Sequence, residues 1–223
     1  MQARARHLLV TPAQPPFWEA LTLPGKPMAR FEPDTKAGRL ALRVSAHRSV
    51  SILRQHFPAG LDASATTLSF SWMVEALPMG ADLRDARRED APVRILLAFD
   101  GDRARWPASA HRLSEWSRLL TGEELPYATL SYVWSPTDAP GTVVVNPRTD
   151  RLRKLVVDGG ATHLGQWREH HRHVRDDFVQ AFGEEPGRLR AIALMTDTDN
   201  TQSSLEAWYG ALRLQERLPG DTP

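Results

Sequence analysis

The sequence predicts an all-β chain: a single-domain antiparallel β-sandwich of jelly-roll type that carries two short helices. Three observations lead there. Apolar and polar residues alternate with a period of two in one segment after another, which sends successive side chains to opposite faces of a sheet. Roughly ten such segments recur at fairly even spacing, as they do in sandwiches and jelly rolls. Helices do not alternate regularly with these segments, so a parallel βαβ sheet is not expected. A length of 223 residues suits one large all-β domain.

Residues 1–37 carry Pro12, Pro15, Pro16, Pro24, Pro27 and Pro33 and show no period. They read as an irregular Pro-rich leader with one short edge strand near Phe17-Trp18. The sandwich is expected over 38–215, followed by a tail over 216–223. Leu40, Leu42 and Val44 open the alternation, and Val50-Ser-Ile-Leu53 continues it. The clearest run is 68–74, where Leu68, Phe70, Trp72 and Val74 share a face opposite Ser69, Ser71 and Met73. Val93, Ile95, Leu97 and Phe99 repeat the pattern with Arg94 on the other face. A charged loop over 80–92 joins these two strands. A helix is expected over 109–120, with Leu113, Trp116, Leu119 and Leu120 along one side and Gly122 past its end. Strands follow at 129–134, 142–145, 152–157 and 166–174. A second helix over 175–182 places Phe178 and Phe182 four apart and stops at Gly183. Strands at 189–195 and 208–214 close the fold.

Composition removes several classes of function. A 41% hydrophobic and 25% charged chain is an ordinary globular one. The formal net charge is +1 and the Arg residues are scattered, so no nucleic-acid or anionic-membrane surface is expected. With no Cys there is no disulfide, thiolate metal site or Cys nucleophile. The N-terminal apolar run is only Leu8-Leu-Val10, short of the roughly 7–15 residues of a signal peptide's apolar region. No stretch approaches the roughly 20 apolar residues of a membrane span, and the chain is expected to be soluble. Oligomeric state leaves no mark in the sequence.

Several segments together resemble the bacterial domain-of-unknown-function 3047 family, from about Phe17 to Leu214. They are the 68–74 run, Gly80-Ala-Asp82 with Glu89-Asp-Ala-Pro-Val-Arg94, Tyr132-Val-Trp134, Gln166-Trp167, Phe182-Gly183 and Met195-Thr-Asp-Thr-Asp-Asn-Thr201, in that order. The resemblance implies a last third like the closing strands of carbohydrate-binding jelly rolls, and a periplasmic or secreted location. It implies no assigned activity. This chain departs from the family at Gly210-Ala211, where members often carry an acidic residue.

Four groups of residues are candidates for chemistry. Asp197, Asp199 and Asn200 lie in an acidic loop between two strands and are the candidate ligands of a structural Ca²⁺, which takes six to eight oxygens. The loop is no EF-hand, since Gln202 stands where Gly is required and Trp208 where a bidentate Glu is required. Its competing reading is an Asx-turn that caps its own backbone. His171 and His173 project from one face of a strand and form a candidate Zn²⁺ pair, with His163 as a third ligand, against a solvated polar face as the alternative. Tyr132, Trp134, Trp167 and Trp208 are candidate sugar-stacking aromatics, whereas Trp72 is in phase with core residues. Arg94 is placed to hold a carboxylate, or else to pair with Asp90 beside it.

No nucleophile elbow, phosphate-binding Gly loop or HExxH motif is present. The expected function is therefore a non-catalytic module for a glycan or related polar ligand. Its binding residues are Arg94, Tyr132, Trp134, Trp167 and His171, and its candidate cofactor is a structural Ca²⁺ at the Asp197 loop. The alternatives are a polysaccharide lyase or metal-assisted hydrolase using Tyr132, His171 and Arg94, and a protein-interaction module.

Overall fold

A computed structural model describes residues 6–10, 18–23, 25–121 and 124–216. Among them are thirteen strands and two α-helices. The strands are β1 (Arg6–Val10), β2 (Glu19–Leu21), β3 (Arg30–Lys36), β4 (Arg39–His47), β5 (Val50–Leu61), β6 (Thr66–Val74) and β7 (Ala91–Phe99). After helix α1 (Ala108–Thr121) come β8 (Ala128–Ser135), β9 (Val143–Asn146), β10 (Thr149–Gly159) and β11 (Arg168–His173). Helix α2 (Val174–Phe182) precedes β12 (Leu189–Asp197) and β13 (Ser204–Glu216).

These strands build two sheets. One has six strands in the order β11-β6-β13-β4-β3, with β1 paired to the second half of β13. The other has seven, in the order β2-β5-β12-β7-β8-β10-β9. All pairings are antiparallel except β8 with β10. The chain leaves β8, runs back as β9 on the outside, and returns as β10 between the two, so β8 and β10 point the same way. The all-antiparallel expectation is corrected at this one place.

Residues 1–37 are not the irregular leader that their Pro content suggested, because β1, β2 and β3 lie within them. Pro33 sits in β3, which pairs only with β4 and ends the sheet. A residue without an N–H is tolerated on an edge strand, since one side of the strand bonds to nothing. The expected edge strand near Phe17-Trp18 forms at Glu19–Leu21, and Phe17 lies outside the described residues.

The two sheets face each other across a core built by the alternation. Leu68, Phe70, Trp72 and Val74 of β6 meet Val93, Ile95, Leu97 and Phe99 of β7, with Tyr132, Ile192, Leu194 and Tyr209 among them. Helix α2 closes one end, with Phe178 edge-on to Phe99 at 4.7 Å and stacked on Phe182 at 4.5 Å. It stops at Gly183, whose φ of 70° is the left-handed conformation that a helix C-terminus uses and Gly adopts freely. No helix among the described residues is long and apolar enough to cross a membrane.

The outer faces of the sheets differ. Over the seven-stranded sheet folds the 75–90 loop, which buries Leu83 against Val133, Val144 and Val156 as a second small core. Helix α1 lies over the same sheet, where Ser117 lines an apolar pocket with Leu96, Thr129 and Leu152. The side chains of Trp116, Leu119 and Leu120, expected on its inner side, are outside the described residues. The outer face of the six-stranded sheet carries an open groove.

Candidate functional site

The groove takes shape on β11, β6 and β13. Alternate residues of β11 point inward and are tied to buried carboxylates. His170 Nε2 lies 2.7 Å from Asp158 Oδ2, Arg168 Nε donates to Asp158 Oδ1 at 2.9 Å, and Arg172 Nε donates to Asp177 Oδ2 at 2.8 Å. Trp72 Nε1 also donates to Asp158, at 2.7 Å. Burial pushes the Asp158 carboxyl up, but the bonds from His170, Trp72 and Arg168 outweigh it and hold the group below its ordinary value. With the inward residues fixed, Glu169, His171 and His173 are aimed outward.

The strand registers set the rest. His171 is opposite Ser69 of β6, and Ser69 is opposite Arg213 of β13, so the three form one row across the sheet. Ser69 Oγ and His171 Nδ1 are 2.8 Å apart. One row along, Glu169 is opposite Ser71. Together with Ala211 these side chains line a groove of about 380 Å³.

The floor is kept low by a β-bulge. The pairing of β13 with β6 shifts between Tyr209 and Leu212, so Gly210 and Ala211 fall in the bulge. A Cβ on Gly210 would sit 2.2 Å from Ser71 Oγ and 3.2 Å from Trp167 Cζ3, so this position has no room for a side chain. The Trp167 ring lies over that glycine, and its Nε1 donates to the Lys36 carbonyl at 3.2 Å. Arg39 approaches the Trp167 ring at 5.5 Å and pairs with Glu169 at 2.6 Å. Behind Trp167, the residues Ala41, Met73 and Trp208 form a small apolar cluster on this outer face. Trp208 is almost wholly covered, with the Lys36 ammonium 4.0 Å above its ring and its Nε1 donating to Asp34 at 2.7 Å. That hydrogen bond holds the Asp34 carboxyl below its ordinary value.

Of the residues expected to bind ligand, the structure brings Trp167 and His171 to this face. The other three belong elsewhere. Tyr132 is in the core, stacked on Phe70 at 5.7 Å with its hydroxyl donating to Asp177 at 2.7 Å. Burial, helped by that carboxylate, pushes its phenol well above the ordinary value. Trp134 is fully buried and donates to the Gly160 carbonyl at 3.0 Å. Both faces of β8 are covered, so the strand offers no position to a ligand. Arg94 does point to the outer side of its sheet, but that side lies under the 75–90 loop and the guanidinium is buried. Its partner is Asp197 at 3.0 Å, together with the Glu89 carbonyl, and not the neighbouring Asp90. The lyase constellation of Arg94, Tyr132 and His171 is thus spread over three separate places.

The expected Ca²⁺ ligands likewise turn to protein partners. Asp197 accepts from Arg94 and from the Ala91 N–H at 2.7 Å. Asp199 pairs with Lys26. The Asn200 amide donates to Asp90 at 3.0 Å, and Asp90 also accepts from the Thr201 N–H at 2.7 Å. Among the described residues no group of three His, Asp or Glu side chains is arranged to hold a metal ion. The Zn²⁺ expectation has the same outcome: the His171 and His173 rings are 5.6 Å apart, without a third ligand. Beneath the 75–90 loop the charges are dense. Lys154 Nζ donates to the Leu83 carbonyl at 2.9 Å and to Glu89 at 3.3 Å. Burial and the nearby Arg94 lower its pKa to about 8, and burial lifts Asp197 to about 7 against the pull of Arg94.

Glu169 and Arg213 are groove residues that the sequence did not single out, and Arg213 is the charged one without a partner among the described residues. Its signal is the alternation Leu212-Arg213-Leu214, which places it outward on a strand beside Ser69.

Residues 16–213 match the profile of a family described as Protein of unknown function (DUF3047). The chain belongs to DUF3047. Among the segments tied to this family by sequence, 68–74 supplies Ser69 and Ser71 to the groove and Trp167 lies beside it over Gly210, while 195–201 closes the buried charge site of Arg94. No curated protein matches the chain. Several solved structures are similar at low identity. The Family 11 carbohydrate-binding module of the cellulosomal cellulase Lic26A-Cel5E of Clostridium thermocellum has a TM-score of 0.46 at 8% identity, with 100% of each chain covered. The same family's module from that organism, in complex with a β-1,3-1,4-mixed-linked tetrasaccharide, gives 0.43 at 9% identity, covering 97% of this chain and 99% of the other. A tandem module from Paenibacillus barcinonensis Xyn10C gives 0.38 at 12%, covering 94% of this chain and 49% of the other.

Proposed function

We propose that this protein is a non-catalytic binding module and that the groove on the six-stranded sheet receives a glycan. The observation that carries this reading is a half-buried Trp167 ring lying over Gly210, beside a groove lined by the hydroxyls of Ser69 and Ser71, the His171 imidazole and the Arg213 guanidinium. A sugar offers both an apolar C–H face and a fringe of hydroxyls, and such a groove meets both. Alternate β11 residues anchored to Asp158 and Asp177 keep the wall preorganised, which lowers the entropic cost of binding. The role implies a periplasmic or secreted setting.

The test is calorimetric titration of the protein against soluble glycans of varied linkage and charge, beside Trp167→Ala. Saturable binding weakened at least about fivefold by the substitution supports the reading, in line with the worth of one aromatic contact. A panel that yields no binding, or binding indifferent to Trp167, refutes it.

A further inference from the structure

The groove is not uniform along its length. At the Trp167 end, the one carboxylate, Glu169, is matched by Arg39 at 2.6 Å. At the other end stands the row His171–Ser69–Arg213. Arg213 is exposed and has no hydrogen-bond or ion-pair partner among the described residues. Most other guanidiniums near this sheet are committed: Arg39 to Glu169, Arg43 to Glu32, Arg168 to Asp158 and Arg172 to Asp177. Ala211, in the bulge beside Arg213, contributes neither charge nor bulk. The groove therefore presents a cation unmatched among the described residues at one end, and beyond Ser71 at the other end an aromatic ring lies beside it over Gly210. The rows of Ser71 and Ser69 lie two residues apart along β6, roughly 7 Å.

This inference rests on the glycan-binding reading and gives it a chemical class. We propose that the ligand is an acidic polysaccharide, with the carboxylate of a hexuronate seated at Arg213 beside Ser69 and His171, and an adjoining sugar laid on Trp167. A guanidinium presents planar paired donors that match a carboxylate, and such charge-assisted bonds are about twice as strong as neutral ones. The Ser69 hydroxyl and the imidazole, already within 2.8 Å of each other, supply the neighbouring polar contacts. The neutralised Glu169 end favours the uncharged part of the chain there, which gives the ligand a direction along the groove.

The experiment is titration of the full chain with polygalacturonate and alginate, with carboxyl-reduced forms of both, with a neutral mixed-linkage β-glucan, and with a sulfated galactan. The expected result is binding to a uronate polymer that weakens as NaCl rises and falls at least about tenfold on carboxyl reduction. Arg213→Ala should lose a similar factor and Arg213→Lys should keep part of it. Circular dichroism of each variant confirms the fold. Binding of the neutral glucan, sensitive to Trp167→Ala but not to Arg213→Ala, overturns the acidic class and leaves the glycan reading standing. Binding of the sulfated polymer alone overturns the carboxylate. Failure of every polymer to bind overturns both readings.

Discussion

Arg94 and Arg213 both project from the outer face of a sheet, one from each sheet, and each stands among apolar neighbours in its strand. The 75–90 loop covers the first and nothing among the described residues covers the second. Arg94 is therefore held by Asp197 and the Glu89 carbonyl inside a site that also buries Lys154 and Asp90. Arg213 faces solvent across a groove from His171. The same side chain is architecture in one place and free for recognition in the other. What decides between them is the connection between β6 and β7, since strand phase is alike in the two cases. Charges under a loop have their partners built in, whereas charges over an open sheet are left for a ligand.

Substitutions should separate the two faces. The largest effect is expected from Arg94→Met, which strands the buried Asp197 carboxylate. Loss of one partner of a buried pair costs about 3–5 kcal/mol, and urea unfolding should show it. Adding Asp197→Asn to Arg94→Met should recover part of that loss, and a double variant no better than the single would contradict the assigned pairing.

The same covered site should leave a signature in the pH dependence of stability. Lys154 titrates at about 8 in the folded protein and near 10.5 when unfolded. Between pH 8 and 10 the unfolded chain binds more protons, so stability should rise, by on the order of 2 kcal/mol. Asp197 gives the opposite slope. Folded it titrates at about 7, against 3.8 for the ordinary carboxyl. From pH 4 to 7 the folded state binds more protons, so this group's contribution falls as pH rises. The site is thus least favourable between pH 7 and 8. Lys154→Met should remove the alkaline rise, and a rise that persists in that variant would assign it to other groups.

On the open face, Gly210→Ala forces a methyl against Ser71 Oγ and the Trp167 ring. It should cost about 1–3 kcal/mol by thermal unfolding, with Ser71→Ala in the same chain restoring part of it. Smallest of all is Arg213→Ala, expected within about 0.5 kcal/mol of the parent in stability, because this exposed guanidinium has no partner among the described residues to lose. A large loss of stability there would sink the contrast between the two arginines.

Much of the architecture was legible in the sequence, because β6 and β7 each bury one clean face and their alternation shows it. Of the three strands within residues 1–37, only β2 was expected; β1 and β3 were hidden by the prolines in and between the strands, which give the local pattern of a loop. The site was less legible. His171 was found through its spacing from His173 on one face of a strand, since β11 carries polar residues on both faces. Tyr132 and Trp134 were misplaced although they share a phase with Ala128 and Leu130, opposite Thr129, Ser131 and Ser135; that phase is the core face, as it is for Trp72 in β6. Arg94 was paired with Asp90, four residues away, when its partner is Asp197 on the neighbouring strand β12. Sequence distance is a poor guide to contacts that sheet register creates. Arg213 went unnoticed because a single outward Arg between two Leu residues is what any solvent-facing strand shows.

Strand β11 pairs with β6 on one side only, and so it ends its sheet. The residues it turns inward, Arg168, His170 and Arg172, are polar and bound to Asp158 and Asp177. Inward-facing charges on a border strand discourage another chain from adding its own strand there. The wall that shapes the groove is therefore also a fence between copies. On a long polymer with many equivalent sites, that fence would let molecules gather side by side, each holding its own stretch, without their sheets merging into aggregate.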